Sequence, residues 1–313
     1  MKPSPASPMC AIITGRDPAL RKVAPMIVDF HAHPEFKTKG IIYSPEEFVA
    51  GMDQGRIDVS CVFGNDQADP GSCPAWRDER FMAVATNFSD EELAAYCSHY
   101  PTRLVGVTSI NPDRYQPERK VERAVKEFGM RAVKLYPHSG FYPNDPRLTR
   151  TYELCSRLGI PVVIHTGPKA VRWQWMKYNQ PIYVDEVATN FPDLKIVMCH
   201  GGYPWTEEFI AVAYTNPNIW VDLTFMERIE ETFVVPGLVE NTVRRLAKLI
   251  GAKRMLWGSE GPYLNLPLYG QQDPSYYQVS QEKLVRRFDF LSAEEKSDIL
   301  GNNAARLLGL IAQ

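Results

Sequence analysis

The chain alternates short apolar, β-branched runs with segments of helical pattern, and this alternation repeats eight times. The runs are nearly continuous in apolar residues, which is typical of strands covered on both faces in a parallel sheet. They span residues 26–33, 57–64, 103–110, 131–137, 160–167, 194–202, 218–224 and 253–260. Eight strand–helix repeats favour a (β/α)8 barrel over a doubly wound sheet, so the sequence predicts an α/β fold of the TIM-barrel type.

The segments between the runs carry helix signals. Ser44 is a predicted N-cap with Pro45 at the first helical position and Glu47 completing a capping box. The C-terminal stretch "SAEEKSDILGNNAARLLGL" predicts two short helices divided by Gly301. No linker or shift in composition divides the chain. We therefore predict an N-terminal arm over residues 1–25 and a single barrel domain over residues 26–313, closed by the C-terminal helices.

Composition narrows the class of protein. The 313 residues are 44% hydrophobic and 23% charged with a net charge of −2, which gives no electrostatic case for binding nucleic acid or an anionic membrane. No apolar run reaches the roughly 20 residues that span a bilayer, and the Pro-rich N-terminus lacks the apolar core of a secretory signal. The six cysteines show no C-x-x-C spacing, so we expect buried free thiols in a reducing cytoplasm.

Polar side chains interrupt the apolar runs at one end. In a barrel of this kind the chemistry collects at the C-terminal ends of the strands. Six candidate residues fall there: His31, His33, Lys134, His165, His200 and Glu260. Strand interiors carry few charges, so a polar residue at the same end of five runs indicates a functional site.

The histidines indicate a metal site. His31 and His33 are separated by one residue, and alternate side chains of a strand point the same way, here into the barrel mouth. Neutral imidazole is a common ligand of zinc, iron and related ions. Of the remaining histidines, His138 follows the fourth run and is a candidate pocket residue. His99 precedes Pro101 on a helix and is expected at the surface or a helix C-terminus.

With these residues in place, the chain resembles the amidohydrolase superfamily, in particular the branch that contains aminocarboxymuconate semialdehyde decarboxylase. The resemblance covers nearly the whole chain from about residue 26. It is carried by the following segments: "DFHAH", "RAVKLYPHSGFYPNDPRLTRTYELCSRLGIPVVIHTG", "FPDLKIVMCHGGYPW", "RMLWGSEGPY" and "ILGNNAARLLGL".

The resemblance implies roles for the candidate residues. His31, His33 and His165 would be metal ligands. His200 would bind a second metal or act as the acid/base. Lys134 would be catalytic, and in binuclear relatives such a lysine can be carbamylated and bridge two ions. The resemblance also implies one or two divalent ions per chain and a homodimer. Zinc is the commonest default for nitrogen and oxygen ligands, with iron or manganese as alternatives.

The residue that ends the eighth run departs from the family pattern. Relatives carry aspartate in a "GSD" triplet, whereas this chain reads Gly258-Ser259-Glu260. Glutamate keeps the charge but is longer by about 1.5 Å, so its carboxylate cannot occupy the same point on the same backbone. Glu260 is therefore assigned to metal binding and catalysis, while the usual proton-shuttle role does not transfer directly.

Two reactions remain open, together with a non-enzymatic alternative. As a hydrolase, the protein would use metal-activated water on an ester, thioester, lactone or amide of a bulky small molecule, with Glu260 or His200 moving the proton. As a non-oxidative decarboxylase of an aromatic or unsaturated acid, His200 would protonate carbon and Lys134 would stabilise negative charge. The sequence places hydrolysis first. The third alternative is an inactive barrel that acts as a binding protein.

Aromatic residues near the predicted strand ends suggest how a substrate is held. Such side chains suit a bulky apolar or aromatic small molecule, although packing at a dimer interface would explain them equally. The predicted substrate-binding residues are His138, Arg172, Trp173, Tyr203 and Trp205.

Overall fold

Eight parallel strands form one sheet in sequence order, from β1 to β8, which confirms the predicted (β/α)8 barrel. The structure is a computed structural model that describes residues 26–34, 43–64, 89–114, 116–169, 174–261 and 276–311. The strands are β1 Val28–Ala32, β2 Val59–Phe63, β3 Leu104–Ile110, β4 Val133–Leu135, β5 Val162–Ile164, β6 Ile196–Cys199, β7 Ile219–Asp222 and β8 Met255–Leu256.

Helices follow the strands and surround the sheet. They are α1 Pro45–Gln54, α2 Asp90–Ser98, α3 Pro117–Phe128, α4 Thr149–Leu158, α5 Ile182–Asn190, α6 Thr206–Thr215, α7 Met226–Thr232, α8 Leu238–Leu249, α9 Tyr276–Gln281, α10 Ala293–Ser297 and α11 Asn303–Leu307. The predicted capping box of α1 is present, because the Ser44 hydroxyl accepts from the Glu47 backbone N–H and the Glu47 carboxylate accepts from the Ser44 N–H. Across the described ranges, no helix is both long and apolar enough to cross a membrane.

The sheet closes next to the functional end of β1. The Phe30 N–H donates to the Trp257 carbonyl at 3.1 Å, and the Glu260 N–H donates to the His31 carbonyl at 2.8 Å. The His33 N–H in turn donates to the Gly261 carbonyl at 2.8 Å. The turn after β8 is thereby fixed to the strand that carries the first two histidines.

Apolar side chains fill two regions. Phe30, Phe63, Val163 and Leu256 belong to the cluster inside the barrel. A larger cluster packs the outer face of the strands against the helices. Lys134 is paired in register with Val163, so this lysine projects into the barrel interior.

The C-terminal helices differ from the prediction. Gly301 does not divide two helices, because a π-helical segment, Asp298–Asn302, joins α10 to α11. The glycine is needed for a close approach instead, since a β-carbon there would lie 1.8 Å from the Met26 carbonyl oxygen. The predicted arm over residues 1–25 lies outside the described residues, and its boundary stays a prediction.

Candidate active site

His31 and His33 end β1 and point to the same space, as the H-A-H spacing predicted. Their ring centroids are 5.1 Å apart, and the His31 ring stacks on Phe63 at 4.3 Å. The register between β1 and β2 shifts between Asp29 and Ala32. Burial lowers the pKa of both imidazoles well below the usual value, and the positive charge of Lys134 adds to this effect, so both rings are neutral.

Asp222, which the sequence analysis did not single out, orients His31. Its Oδ2 lies 2.7 Å from His31 Nδ1, and both side chains are fully buried. Its Oδ1 accepts from the Thr224 N–H at 2.9 Å and from the Thr224 hydroxyl. A carboxylate can only accept, so Nδ1 of His31 carries the proton and Nε2 presents a lone pair. The signal was a lone carboxylate at the end of the apolar run "NIWVDLT".

Glu260 lies between the two histidines of β1. Its Oε2 is 3.6 Å from His31 Nε2, and its Oε1 is 3.8 Å from His33 Nε2. The residue adopts a left-handed backbone with φ of 57°, which is uncommon outside glycine and marks a constrained position. Burial raises the pKa of the Glu260 carboxyl to about 8; Lys134 opposes this rise, and Asp222, Asp29 and Glu227 reinforce it.

Asp29, a second residue that was not among the predicted site residues, holds the turn that carries Glu260. Its Oδ1 accepts from the Ser259 N–H at 2.8 Å, and its Oδ2 accepts from the Ser259 hydroxyl at 2.5 Å. The Ser60 hydroxyl donates to Oδ2 at 3.3 Å. Asp29 therefore joins β1, β2 and the β8 turn beneath the site. Burial raises the pKa of its carboxyl to about 7.

His165 and His200 face each other at the ends of β5 and β6. His200 Nδ1 lies 2.9 Å from the Thr224 carbonyl, and His165 Nε2 lies 3.0 Å from the Pro168 carbonyl. Carbonyls only accept, so each of these nitrogens carries the proton. The other two nitrogens, His200 Nε2 and His165 Nδ1, lie 3.1 Å apart with their lone pairs facing.

A cation between these two nitrogens would remove the repulsion. Burial lowers the pKa of both rings, to about 4 for His200 and well below the usual value for His165, so a shared proton is disfavoured. The separation of 3.1 Å is close to the spacing of about 3.3 Å between two nitrogen ligands of a tetrahedral zinc ion. The donor chemistry of the site therefore fits a divalent metal ion.

Two further ligand groups within the described ranges support a metal site. One consists of His31, His33 and Glu260, and the other of His31, Cys199 and His200; the ligand atoms of each group lie within 4.8 Å of one another. His165 belongs to neither group, although it contacts His200. Cys199 adds a sulfur atom that the sequence analysis did not include among the ligands.

Lys134 is a fully buried cation beside these groups. Its Nζ lies 3.4 Å from His31 Nε2 and 3.4 Å from Cys199 Sγ. The same atom lies 5.3 Å from the ring centroid of Phe63 and 5.2 Å from that of Tyr136. Among the described side chains, no carboxylate oxygen lies within ion-pair distance of this ammonium group.

The structure brings one of the predicted substrate-binding residues into contact with the metal-site histidines. His138 is buried, and its ring centroid is 4.5 Å from that of His165, so it joins the site. Tyr203 packs against Phe233 in a tilted arrangement with ring centroids 4.9 Å apart, and Trp205 precedes α6 as its N-cap; their part in substrate binding stays a prediction. Arg172 and Trp173 lie outside the described residues.

His99 is placed as expected, away from the site. It is the C-cap of α2, its side chain is 55% exposed, and its Nδ1 lies 3.6 Å from Glu46. Five of the six histidines therefore contribute to one buried group, whereas His99 does not.

The barrel carries a candidate metal site at its histidine-rich mouth, and the family follows from the sequence. The family model of the amidohydrolases matches residues 28–310, so the chain belongs to the amidohydrolase family. It is 24% identical over 292 residues to a protein from Dictyostelium discoideum named 2-amino-3-carboxymuconate-6-semialdehyde decarboxylase; the match covers 86% of this chain and 77% of that protein.

Solved structures of proteins that are named for different reactions share the fold. The 5-carboxyvanillate decarboxylase of Sphingomonas paucimobilis superposes with a TM-score of 0.64 at 15% identity, covering 91% of this chain and 99% of that one. A probable 2-pyrone-4,6-dicarboxylic acid hydrolase of Acinetobacter baumannii also gives a TM-score of 0.64, at 13% identity, covering 90% of this chain and 99% of that one. At these identities the likeness establishes the fold and leaves the reaction open.

Proposed function

We propose that this protein is a metal-dependent, non-oxidative decarboxylase of a small aromatic or unsaturated carboxylic acid. Hydrolysis ranked first on the sequence alone, and two considerations reverse that order. The relative from Dictyostelium discoideum, which aligns with most of this chain, is named as a decarboxylase. In addition, Lys134 lies fully buried among the metal-site residues, where its ammonium group can pair with a substrate carboxylate.

The observation that carries the proposal is the ammonium group of Lys134. A buried charge is costly unless it is paired, and the contacts of Lys134 are an imidazole nitrogen, a thiol and two aromatic faces. None of these groups supplies a negative charge of its own. Glu260 and Asp222 act on the charge of Lys134 from beyond ion-pair distance, so the carboxylate of a substrate would supply a direct counter-ion that a neutral ester or amide would not.

The residues of the site divide the work as follows. A divalent ion held by His31, His33 and Glu260 would act as a Lewis acid on the oxygens of the substrate. Lys134 would pair with the carboxylate and stabilise the negative charge that develops as CO2 leaves. Glu260 lies 3.6 Å from His31 Nε2, and burial raises the pKa of its carboxyl to about 8, so Glu260 is the group positioned to deliver a proton to the carbon that loses CO2.

Hydrolysis is the second candidate, and the position of Glu260 favours it. Its carboxylate oxygens lie within 4 Å of both β1 histidines, so Glu260 could accept a proton from water at the ion. This arrangement serves an ester or lactone substrate as well as an acid. The two reactions therefore need to be compared on the same protein.

The test is a parallel screen of the zinc-, iron- and manganese-loaded protein. One panel contains aromatic and unsaturated carboxylic acids and is assayed for released bicarbonate; the other contains lactones, esters and amides and is assayed for released acid. We expect bicarbonate release from at least one acid. Hydrolysis without bicarbonate release would refute decarboxylation and support the second candidate.

A substitution connects the activity to Lys134. Lys134→Met should raise KM for the active acid by about 10- to 100-fold, the effect of losing one charge-assisted bond. Lys195→Met is the matched control, because Lys195 donates to the Gly159 carbonyl on the exposed surface. An unchanged KM in Lys134→Met would contradict the assigned role.

A further inference from the structure

We propose that His138 is a hydrogen-bond donor to the substrate through its Nε2–H and that Asn179 fixes this polarity. The chemical class of the ligand rests on the function proposed above: an acid that carries a second oxygen acceptor besides the carboxylate paired with Lys134. Asn179 acts through His138 and is a positioning residue.

The backbone holds His138 at the mouth of the barrel. The residue lies in the 3-10 helix Pro137–Ser139 that follows β4, and its carbonyl accepts from the Trp175 N–H at 2.9 Å. Its ring packs edge-on against His165 with centroids 4.5 Å apart and lies 5.7 Å from the ring of Tyr136. The imidazole is therefore fixed beside one of the metal-site histidines.

Asn179 determines which nitrogen of His138 carries the proton. The Nδ2 of Asn179 donates to the Gly167 carbonyl at 2.9 Å, and a carbonyl can only accept, so the amide cannot be turned the other way. The same Nδ2 lies 3.5 Å from Nδ1 of His138. A proton on that Nδ1 would point at an N–H group. The favoured form is the neutral imidazole with its proton on Nε2.

The Nε2–H of His138 lacks an acceptor among the described residues. The atom is buried, and no hydrogen-bond partner reaches it in the part of the chain that the structure describes. Buried polar groups are nearly always paired, so an orphaned donor at a functional site calls for a partner that arrives with a ligand. Because His138 contacts His165, that ligand is the molecule bound at the metal site. An oxygen of the substrate is the acceptor that the donor requires.

The proton position is measured by NMR of protein labelled with nitrogen-15 in histidine and loaded with zinc. We expect His138 to give a protonated, pyrrole-type Nε2 and a pyridine-type Nδ1, assigned by the signals that disappear in His138→Gln. In Asn179→Ala the preference should weaken, with both nitrogens shifting toward the average of the two types. A proton on Nδ1 in the wild type, or no change in Asn179→Ala, would overturn the proposal.

Binding of simple acids tests the ligand class without any turnover. The probes are benzoate and the three benzenedicarboxylates, titrated into the zinc-loaded protein. We expect at least one dicarboxylate to bind about 10-fold or more tightly than benzoate. This preference should vanish in His138→Phe and remain in His138→Gln, whose amide keeps a donor. The surface substitution His99→Phe should leave it unchanged.

The outcomes separate the two proposals. An equal preference in wild type and His138→Phe would refute the role of His138, whatever reaction the protein catalyses. If none of the four acids binds, an aromatic acid is contradicted as the substrate, the screen for bicarbonate release decides for unsaturated acids, and the NMR result still decides the protonation of His138. If His138→Phe fails to fold, His138→Leu takes its place, because leucine also lacks a hydrogen-bond donor.

Discussion

Replacing Asp222 by asparagine should invert the hydrogen bond that prepares His31 for metal binding. In the native site, one carboxylate oxygen accepts from the Thr224 N–H and hydroxyl while the other accepts from His31 Nδ1 at 2.7 Å. In Asp222→Asn, the amide oxygen must face the two donors of Thr224. The amide N–H would then face Nδ1 and drive the imidazole proton to Nε2, the nitrogen that should bind the ion.

The size of the effect follows from the burial of the pair. Both side chains are at most 1% exposed, so water cannot replace the lost contact. Partners that orient a metal-bound histidine contribute about 10- to 100-fold to metal affinity, and a factor of ten is about 1.4 kcal/mol. Because the bond is short, charged and fully buried, we expect the variant near the upper end of this range.

The assay is zinc affinity by competition with a chromophoric chelator at pH 7.5. Asp298→Asn is the matched control, since Asp298 is also buried but pairs with Arg306 in the C-terminal helices. The control should bind zinc as tightly as the wild type, even if it unfolds at a lower temperature. Wild-type affinity in Asp222→Asn, with the fold intact, would refute the argument that Asp222 sets the tautomer of His31.

Three further predictions concern stability and the turn after β8. Burial raises the pKa of Glu227 to about 7, above its value of about 4.5 in the unfolded chain, so the folded protein loses stability as the pH rises between these values. Glu227→Gln should therefore raise the melting temperature of the apoprotein at pH 8 and have a much smaller effect at pH 4.5. Equal shifts of the melting temperature at both pH values would contradict burial of the charge as the cause. In Gly258→Ala the new β-carbon would lie 2.3 Å from a side-chain oxygen, so we expect a loss of at least about 1–3 kcal/mol by chemical denaturation, whereas Gly51→Ala in α1 has room and should be neutral or stabilising. Ser259→Ala removes the hydrogen bond that the Ser259 hydroxyl donates to Asp29 and the one that it accepts from the Gly261 N–H. Both zinc binding and stability should weaken, as measured by calorimetry. Loss of stability alone would mean that the Asp29–Ser259 contact does not position Glu260.

The pattern of the sequence was sufficient for the fold and for most of the site. Continuous apolar runs report burial on both faces, and burial on both faces implies a parallel sheet surrounded by helices. The C-terminal ends of parallel strands lie at the same end of a barrel, so the strand order alone predicted that His31, His165 and His200 lie close together. His33 followed from the two-residue period of a strand.

The partners of these histidines could not be predicted in the same way. Asp29 and Asp222 looked like single charges in apolar strands, and each gains its role only from residues far away in the sequence. Asp29 binds Ser259, and Asp222 binds His31, contacts that span more than 190 positions. No local rule reports which buried carboxylate meets which imidazole.

The sequence by itself determined the barrel, the end of the barrel at which polar groups collect and the set of nitrogen and oxygen donors available for an ion. Those features depend on periodicity and residue type, which can be recognised in short stretches of the sequence. Tertiary structure alone decided the protonation pattern, because a tautomer is set by the acceptor that faces each ring nitrogen. It also decided the reach of Glu260, whose left-handed backbone is held by contacts from β1. Finally, it left Lys134 without a carboxylate partner among the described residues, since only packing determines what surrounds a buried charge.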